Sequence, residues 1–138
     1  MIDRESRDTL AEALRQYTSG RITNYNLDEI NIRFSDNGVH AVKQAAWGLY
    51  DDLHKHKAIE DYYLDTSDKH EIARWILFLQ TNNEYLWEPF TIKDGLLSLI
   101  TLGYYSKKFY DKIDNTIWPF KTPADLDKAL QNPNLLKP

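Results

Sequence analysis

From Ile72 to Leu79 every side chain is apolar except Arg74. Ile72, Trp75, Ile76, Leu77, Phe78 and Leu79 cover most of a helical circumference rather than one stripe. A helix of that kind belongs at the centre of a domain, so the rest of the chain must wrap it. The 138 residues suffice for one domain with its own core. With 42% hydrophobic and 28% charged residues, the chain has the composition of a folded protein.

The apolar run ends in Asn82-Asn83-Glu84-Tyr85-Leu86-Trp87-Glu88. Pro89 turns Glu88 away from helical geometry, which makes residues 81–90 a loop. Tyr and Trp supply rigid contact area there, while Asn and Glu supply directional hydrogen bonds. Glu84, Tyr85 and Trp87 are therefore candidates for binding a partner, and Trp118 in the Ile117-Trp118-Pro119-Phe120 segment joins them. The opposing reading is that Tyr85 and Trp87 fold back onto the core and that Trp118 clamps the tail to the body.

Helical signals fill most of the remaining chain. Leu10, Ala13, Leu14 and Tyr17 form one stripe over residues 4–18, closed by Gly20 in a left-handed conformation. A short helix over 25–32 follows, capped by Thr23 or Asn24. Ser35-Asp36-Asn37-Gly38 starts a helix over 38–56, in which Val39, Val42, Ala46, Leu49, Tyr50 and Leu53 recur at helical spacing. Thr66, Ser67 and Asp68 suit the start of the central helix, which runs to about Gln80.

Leu96, Leu97, Leu99, Ile100, Leu102 and Tyr104 predict a second core helix over 92–104, introduced by Thr91 and Asp94, with further helix possible over 105–113. Pro119 predicts extended chain over 114–121. Thr122-Pro123-Ala124-Asp125 opens a last short helix over 123–131 that carries Leu126 and Leu130. Strand-like alternation is scarce. The expectation is a compact all-α bundle of five to seven helices, one domain over 1–138, centred on the 68–80 and 92–104 helices. The helical body spans about 4–113, and the Ile117–Phe120 segment and terminal helix span 114–138.

Charge and cysteine usage narrow the function. The chain carries −4 overall, and an acidic body argues against a broad phosphate-seeking surface. The C-terminal segment is mildly basic, with Lys and Asp interleaved. Without cysteine, thiolate metal sites, thiol nucleophiles and disulfides are excluded. The first residues lack the apolar region of a signal peptide, and no apolar run approaches the roughly 20 residues of a membrane span. A soluble cytoplasmic protein without a membrane partner is expected.

Candidate chemistry is thin. Asp51-Asp52-Leu53-His54-Lys55-His56 combines carboxylates and imidazoles, but on a helix His54 and His56 point about 200° apart. A solvated helix end, with Asp51 and Lys55 paired, explains them as well. His70, Glu71 and Arg74 could gather at a cleft, yet H-E-x-x-H is missing. Arg74 interrupts the apolar helix, and its guanidinium can reach a carboxylate or a carbonyl. Asp51 is the named ion-pair partner, with Asp52 or Glu84 as alternatives. No nucleotide cradle or serine-hydrolase motif occurs, and no cofactor or metal is expected.

The blocks Gly20-Arg-Ile-Thr-Asn24, Trp47-Gly-Leu-Tyr-Asp-Asp-Leu53, Ala73-Arg-Trp-Ile-Leu-Phe-Leu-Gln-Thr81 and Ile117-Trp-Pro-Phe120 resemble a family of small uncharacterised bacterial proteins. The resemblance spreads over most of the chain and implies a bacterial source and a shared fold, with no activity attached.

The leading functional expectation is a non-catalytic module that binds another protein, an immunity- or antitoxin-like inhibitor being one concrete form. A small metal-dependent hydrolase using His54, His56, His70 and carboxylates is one alternative. A nucleic-acid-associated regulator using the Lys-rich segment 107–121 is another. Homo-oligomers are compatible with every one of these readings.

Overall fold

The computed structural model describes residues 1–49, 54–59, 64–88, 92–103, 107 and 111–132. These form an all-α fold of six α-helices: α1 (Arg4–Thr18), α2 (Asn24–Asp28), α3 (Asn37–Ala46), α4 (Thr66–Gln80), α5 (Ile92–Ile100) and α6 (Pro123–Leu130). A 3₁₀ turn, Trp47–Leu49, follows α3. The described residues contain no sheet; one isolated bridge pairs Thr23 with Lys57.

The helices start where short polar side chains can accept the first free amides. Asp3, Thr23, Asp36, Asp65 and Thr122 serve α1, α2, α3, α4 and α6 respectively. At α2 the cap is reciprocal: the Asn26 amide donates to the Thr23 hydroxyl, and the Asn26 side chain accepts from the Thr23 amide. The end of α1 is a Schellman motif. The Gly20 amide donates to the Tyr17 carbonyl and the Arg21 amide to the Gln16 carbonyl, with Gly20 at φ 75°.

α4 lies at the centre, as its all-round apolarity requires. Ile72, Trp75 and Leu79 pack with Leu10, Leu14 and Tyr17 of α1 and with Val39, Val42 and Ala46 of α3. Leu77 and Phe78 face a second cluster completed by Phe120 and Ala129. One helix thus closes two cores.

Its chief partner is α1, which corrects the expected pairing of the 68–80 and 92–104 helices. α5 stops at Ile100, and Leu96, Leu99, Ile100 and Leu102 are exposed rather than buried. Their spacing is that of an apolar helix face, but among the described elements no helix packs substantially against α5. The expected start signal at Thr91 lies outside the described residues, as do most of 105–110.

Three further expectations change. The 38–56 helix ends at Ala46, where the Trp47 indole turns to the Asp28 carboxylate (2.7 Å), and residues 54–57 are not helical. Tyr50, Asp51, Asp52 and Leu53 lie outside the described residues. The 25–32 helix ends at Asp28, although Ile30 and Ile32 still pack on the core. Segment 114–121 is a compact turn rather than extended chain, with the Ile117 and Trp118 amides on the Asp114 carbonyl and the Trp118–Pro119 bond cis. The α6 signals hold, but Ala129 is its buried residue and Leu130 is exposed.

Candidate functional site

The aromatic residues singled out by sequence converge on one another. The Trp118 ring is buried, meets Trp75 edge-on at 5.8 Å, and its indole donates to the Tyr85 hydroxyl at 3.0 Å. Tyr85 in turn packs edge-on against Phe78, which meets Phe120 at 5.4 Å. The Trp87 indole donates to the Phe120 carbonyl at 3.1 Å, and the Lys121 ammonium lies 3.9 Å from the Trp87 ring centroid. Edge-to-face pairs and a cation over a ring are favourable geometries for these groups. The result is a clamp: loop 81–88 and turn 114–121 hold each other against α4.

Arg74 secures this clamp from below. Its Nε donates to the Trp118 carbonyl at 2.6 Å and its Nη2 to the Asn115 carbonyl at 2.7 Å. Among the described residues the guanidinium meets these carbonyls and no carboxylate directly. Burial lowers its pKa from the ordinary value, opposed by the charges of Glu71 and Asp114. Asp51, the partner named from sequence, lies outside the described residues.

Trp118 is thus inside, and Tyr85 and Trp87 are half-buried with their polar atoms used internally. Glu84 and Leu86 are exposed, and Glu84 reaches the N-terminal ammonium at 3.5 Å. Two adjoining hollows of about 180 and 210 Å³ run between this loop and α6 and share Asn83 and Asp125. Their rim mixes Glu84, Asp125, Lys121 and Lys128 with the amides Asn82 and Asn83. Such a rim can hydrogen-bond a peptide, but it presents no paired nucleophile and base.

The histidines disperse. The His56 ring is buried, with Nδ1 2.8 Å from the His54 carbonyl and Nε2 3.3 Å from the Tyr17 hydroxyl, where burial pushes the phenol pKa up. A donating Nδ1–H leaves Nε2 to accept from Tyr17, so this imidazole holds the 54–57 segment to α1. His40 packs against Phe34, and His54 and His70 are exposed. Among the described residues no group of three or more His, Asp or Glu could hold a metal ion.

A polar centre that the sequence reading missed joins three helices. Arg7 and Asp36 are both buried and form a bidentate pair at 2.6 and 3.2 Å. The Arg7 Nη1 also donates to the Thr81 carbonyl at 3.0 Å, beside Arg4, which donates to the Leu79 and Thr81 carbonyls. Burial alone would raise the Asp36 carboxyl pKa, but the hydrogen bonds from Arg7 and the Asp3 and Gly38 amides bring it below its ordinary value. Arg33 and the Ser6 amide likewise hold the Asp3 carboxyl far below the usual range. The signal was available: Arg7 occupies the same helical face as Leu10, Leu14 and Tyr17.

Among the described residues, the end of α5 and the turn after it carry four exposed apolar side chains. Leu96, Leu99, Ile100 and Leu102 are 58%, 76%, 76% and 96% exposed. Nothing charged occurs between Gly95 and Gly103. Among the described residues no helix is long and apolar enough to cross a membrane.

Compared with protein-family models, curated proteins and solved structures, the chain gives no significant match to any of them.

Proposed function

We propose that this chain is a non-catalytic protein-binding module and that α5 carries the binding surface. The observation behind this reading is the exposed stripe of Leu96, Leu99, Ile100 and Leu102. Isolated exposed apolar residues are ordinary, but three near the end of α5 and a fourth just past it lie within seven residues, and clustered exposed apolar side chains are of the kind that marks protein contacts. The candidate loop contributes less than its composition suggested, because its aromatics are spent on the clamp. Glu84, Leu86 and the mixed-charge rim beside α6 remain as a polar neighbour surface.

The test places a photo-crosslinking side chain at Leu99 and, separately, at Glu12 on the exposed side of α1. Discrete protein adducts from the Leu99 position, formed in cells that naturally carry the protein, support the reading. Equal, diffuse labelling from both positions removes it.

A further inference from the structure

We infer that Asn37–Gly38 is a latent modification site. The fold holds it inert, release of the start of α3 lets it deamidate, and the rearranged product cannot rebuild the junction of α1 with α3.

Sequence creates the liability and packing fixes it in place. Asn37 is the one asparagine of the chain that a glycine follows. Asparagine is a thermolabile residue, and a glycine after it leaves the next backbone nitrogen uncrowded and its torsions free. No other residue fits at position 38. An added Cβ would stand 2.8 Å from the Phe78 ring and 3.1 Å from the Arg7 Nη2. Phe78 and Arg7 are both buried, with the guanidinium 5.0 Å from the ring centroid, so neither gives way cheaply. Asn37 itself is exposed to water.

Deamidation begins when the Gly38 backbone nitrogen attacks the Asn37 Cγ. A C–N bond forms, the side-chain nitrogen leaves as ammonia with the Gly38 amide proton, and a five-membered succinimide remains. Water then opens the ring. Opening at Cγ gives aspartate. Opening at the main-chain carbonyl gives isoaspartate, whose backbone runs through Cβ and Cγ. Water is the only co-reactant.

The folded chain opposes the first step. Asn37 is the first residue of α3, and ring closure needs its ψ rotated away from the helical value of roughly −42°. That rotation also breaks the first helical turn, which the His40 amide closes on the Asp36 carbonyl at 3.1 Å. The Gly38 amide proton is committed to the Asp36 carboxylate at 2.8 Å. Asp36 is a poor base for that proton, because Arg7 grips the carboxylate through two hydrogen bonds.

The product makes the change one-way. Isoaspartate adds a backbone carbon just before Gly38, where the chain is wedged against Phe78 and Arg7. The Gly38–Asp36 hydrogen bond and the start of α3 then lose their register. A passing release of this helix end is thereby recorded as a lasting loss of the α1–α3 junction.

The experiment incubates the whole chain in mildly alkaline buffer, folded and in unfolding urea, and follows Asn37 conversion by peptide mass spectrometry. The folded chain is expected to convert at least about a hundredfold more slowly, since freeing a packed helix end draws on much of the global stability. Returned to buffer, the isoaspartyl chain should unfold at lower urea than Asn37→Asp, which keeps an ordinary backbone and places a tolerated acid at the helix start. Arg7→Met combined with Asp36→Ser removes both buried charges and keeps a capping hydroxyl, so no charge is stranded. With its fold verified by circular dichroism, this double variant should convert faster than the native chain.

Equal rates in the folded and unfolded native chain overturn the proposal. Unchanged or slower conversion in the folded double variant also overturns it, since Asp36 would then not be the shield. An isoaspartyl chain with the urea midpoint of Asn37→Asp would remove the one-way step. If the double variant does not fold, the two comparisons that do not need it decide.

Discussion

At Arg7 and Asp36 two opposite charges sit almost out of reach of water, and removing one leaves the other stranded. Breaking a buried pair in this way costs about 3–5 kcal/mol, a large share of the roughly 5–15 kcal/mol that holds a domain of this size together. Arg7→Met is expected to lower stability by that amount in urea titration, because the Asp36 carboxylate keeps only its amide donors. The pH dependence follows from the same geometry. A carboxyl whose pKa lies below 3.8 in the folded state contributes its full stabilisation above that ordinary value, and loses it as pH falls through the folded pKa. In Asp36→Asn this part of the acid-induced loss should vanish, leaving a shallower decline to which Asp3 still contributes. A native-like acid slope in that variant would contradict the assignment. The sequence shows a charge at Arg7 on an apolar stripe, which is an anomaly that can be read. It does not show the partner, because the pair joins residues 29 positions apart and only the packing of α1 against the start of α3 brings them together.

Apolar periodicity alone cannot say whether a helix face is buried in its own core or left exposed, and α4 and α5 show the two outcomes. α4 is apolar nearly all round, a pattern that only an interior position satisfies, so its place was legible. α5 has one apolar face, which fits an interior and an interface equally well, and the interior reading was the wrong one. The turn at 114–121 was misread for a different reason. Pro119 does restrict Trp118, but the Asp114 side chain, accepting from the Thr116 amide and hydroxyl, and the distant Arg74 fold the segment compactly. Leu102, in the left-handed region at φ 55°, gives the test that belongs to this scale. Replacing it with glycine removes the left-handed strain while adding backbone entropy to the unfolded chain, a net gain of about 0.5–1 kcal/mol. Thermal unfolding of Leu102→Gly in dilute solution should therefore show a higher midpoint than the native chain. A lower midpoint would mean that the leucine contributes to the fold.

Across the whole molecule the buried surface is distributed unevenly. α1, α3 and α4 share the main core, the Arg7–Asp36 pair and the Arg4 contacts to the end of α4 fasten their ends, and Lys43 ties α3 to α2 through the Leu27 carbonyl. The clamp of Trp118, Tyr85 and Phe120 adds α6 and its turn through the second cluster. α5 shares little of this, and its backbone bonds lie beside exposed side chains. Amide exchange follows such differences, because protected helices open only when the whole domain unfolds and weakly packed ones open alone. In dilute solution, amides in the middle of α1 and α4 should exchange at the rate set by global unfolding, while those of α5 exchange far faster. On the binding-module proposal, adding a protein that crosslinks at Leu99 should slow exchange in α5 and leave α1 and α4 unchanged. Slowing in every helix together would instead indicate a general stabilisation, and no change in α5 would leave its apolar face without a partner to cover it.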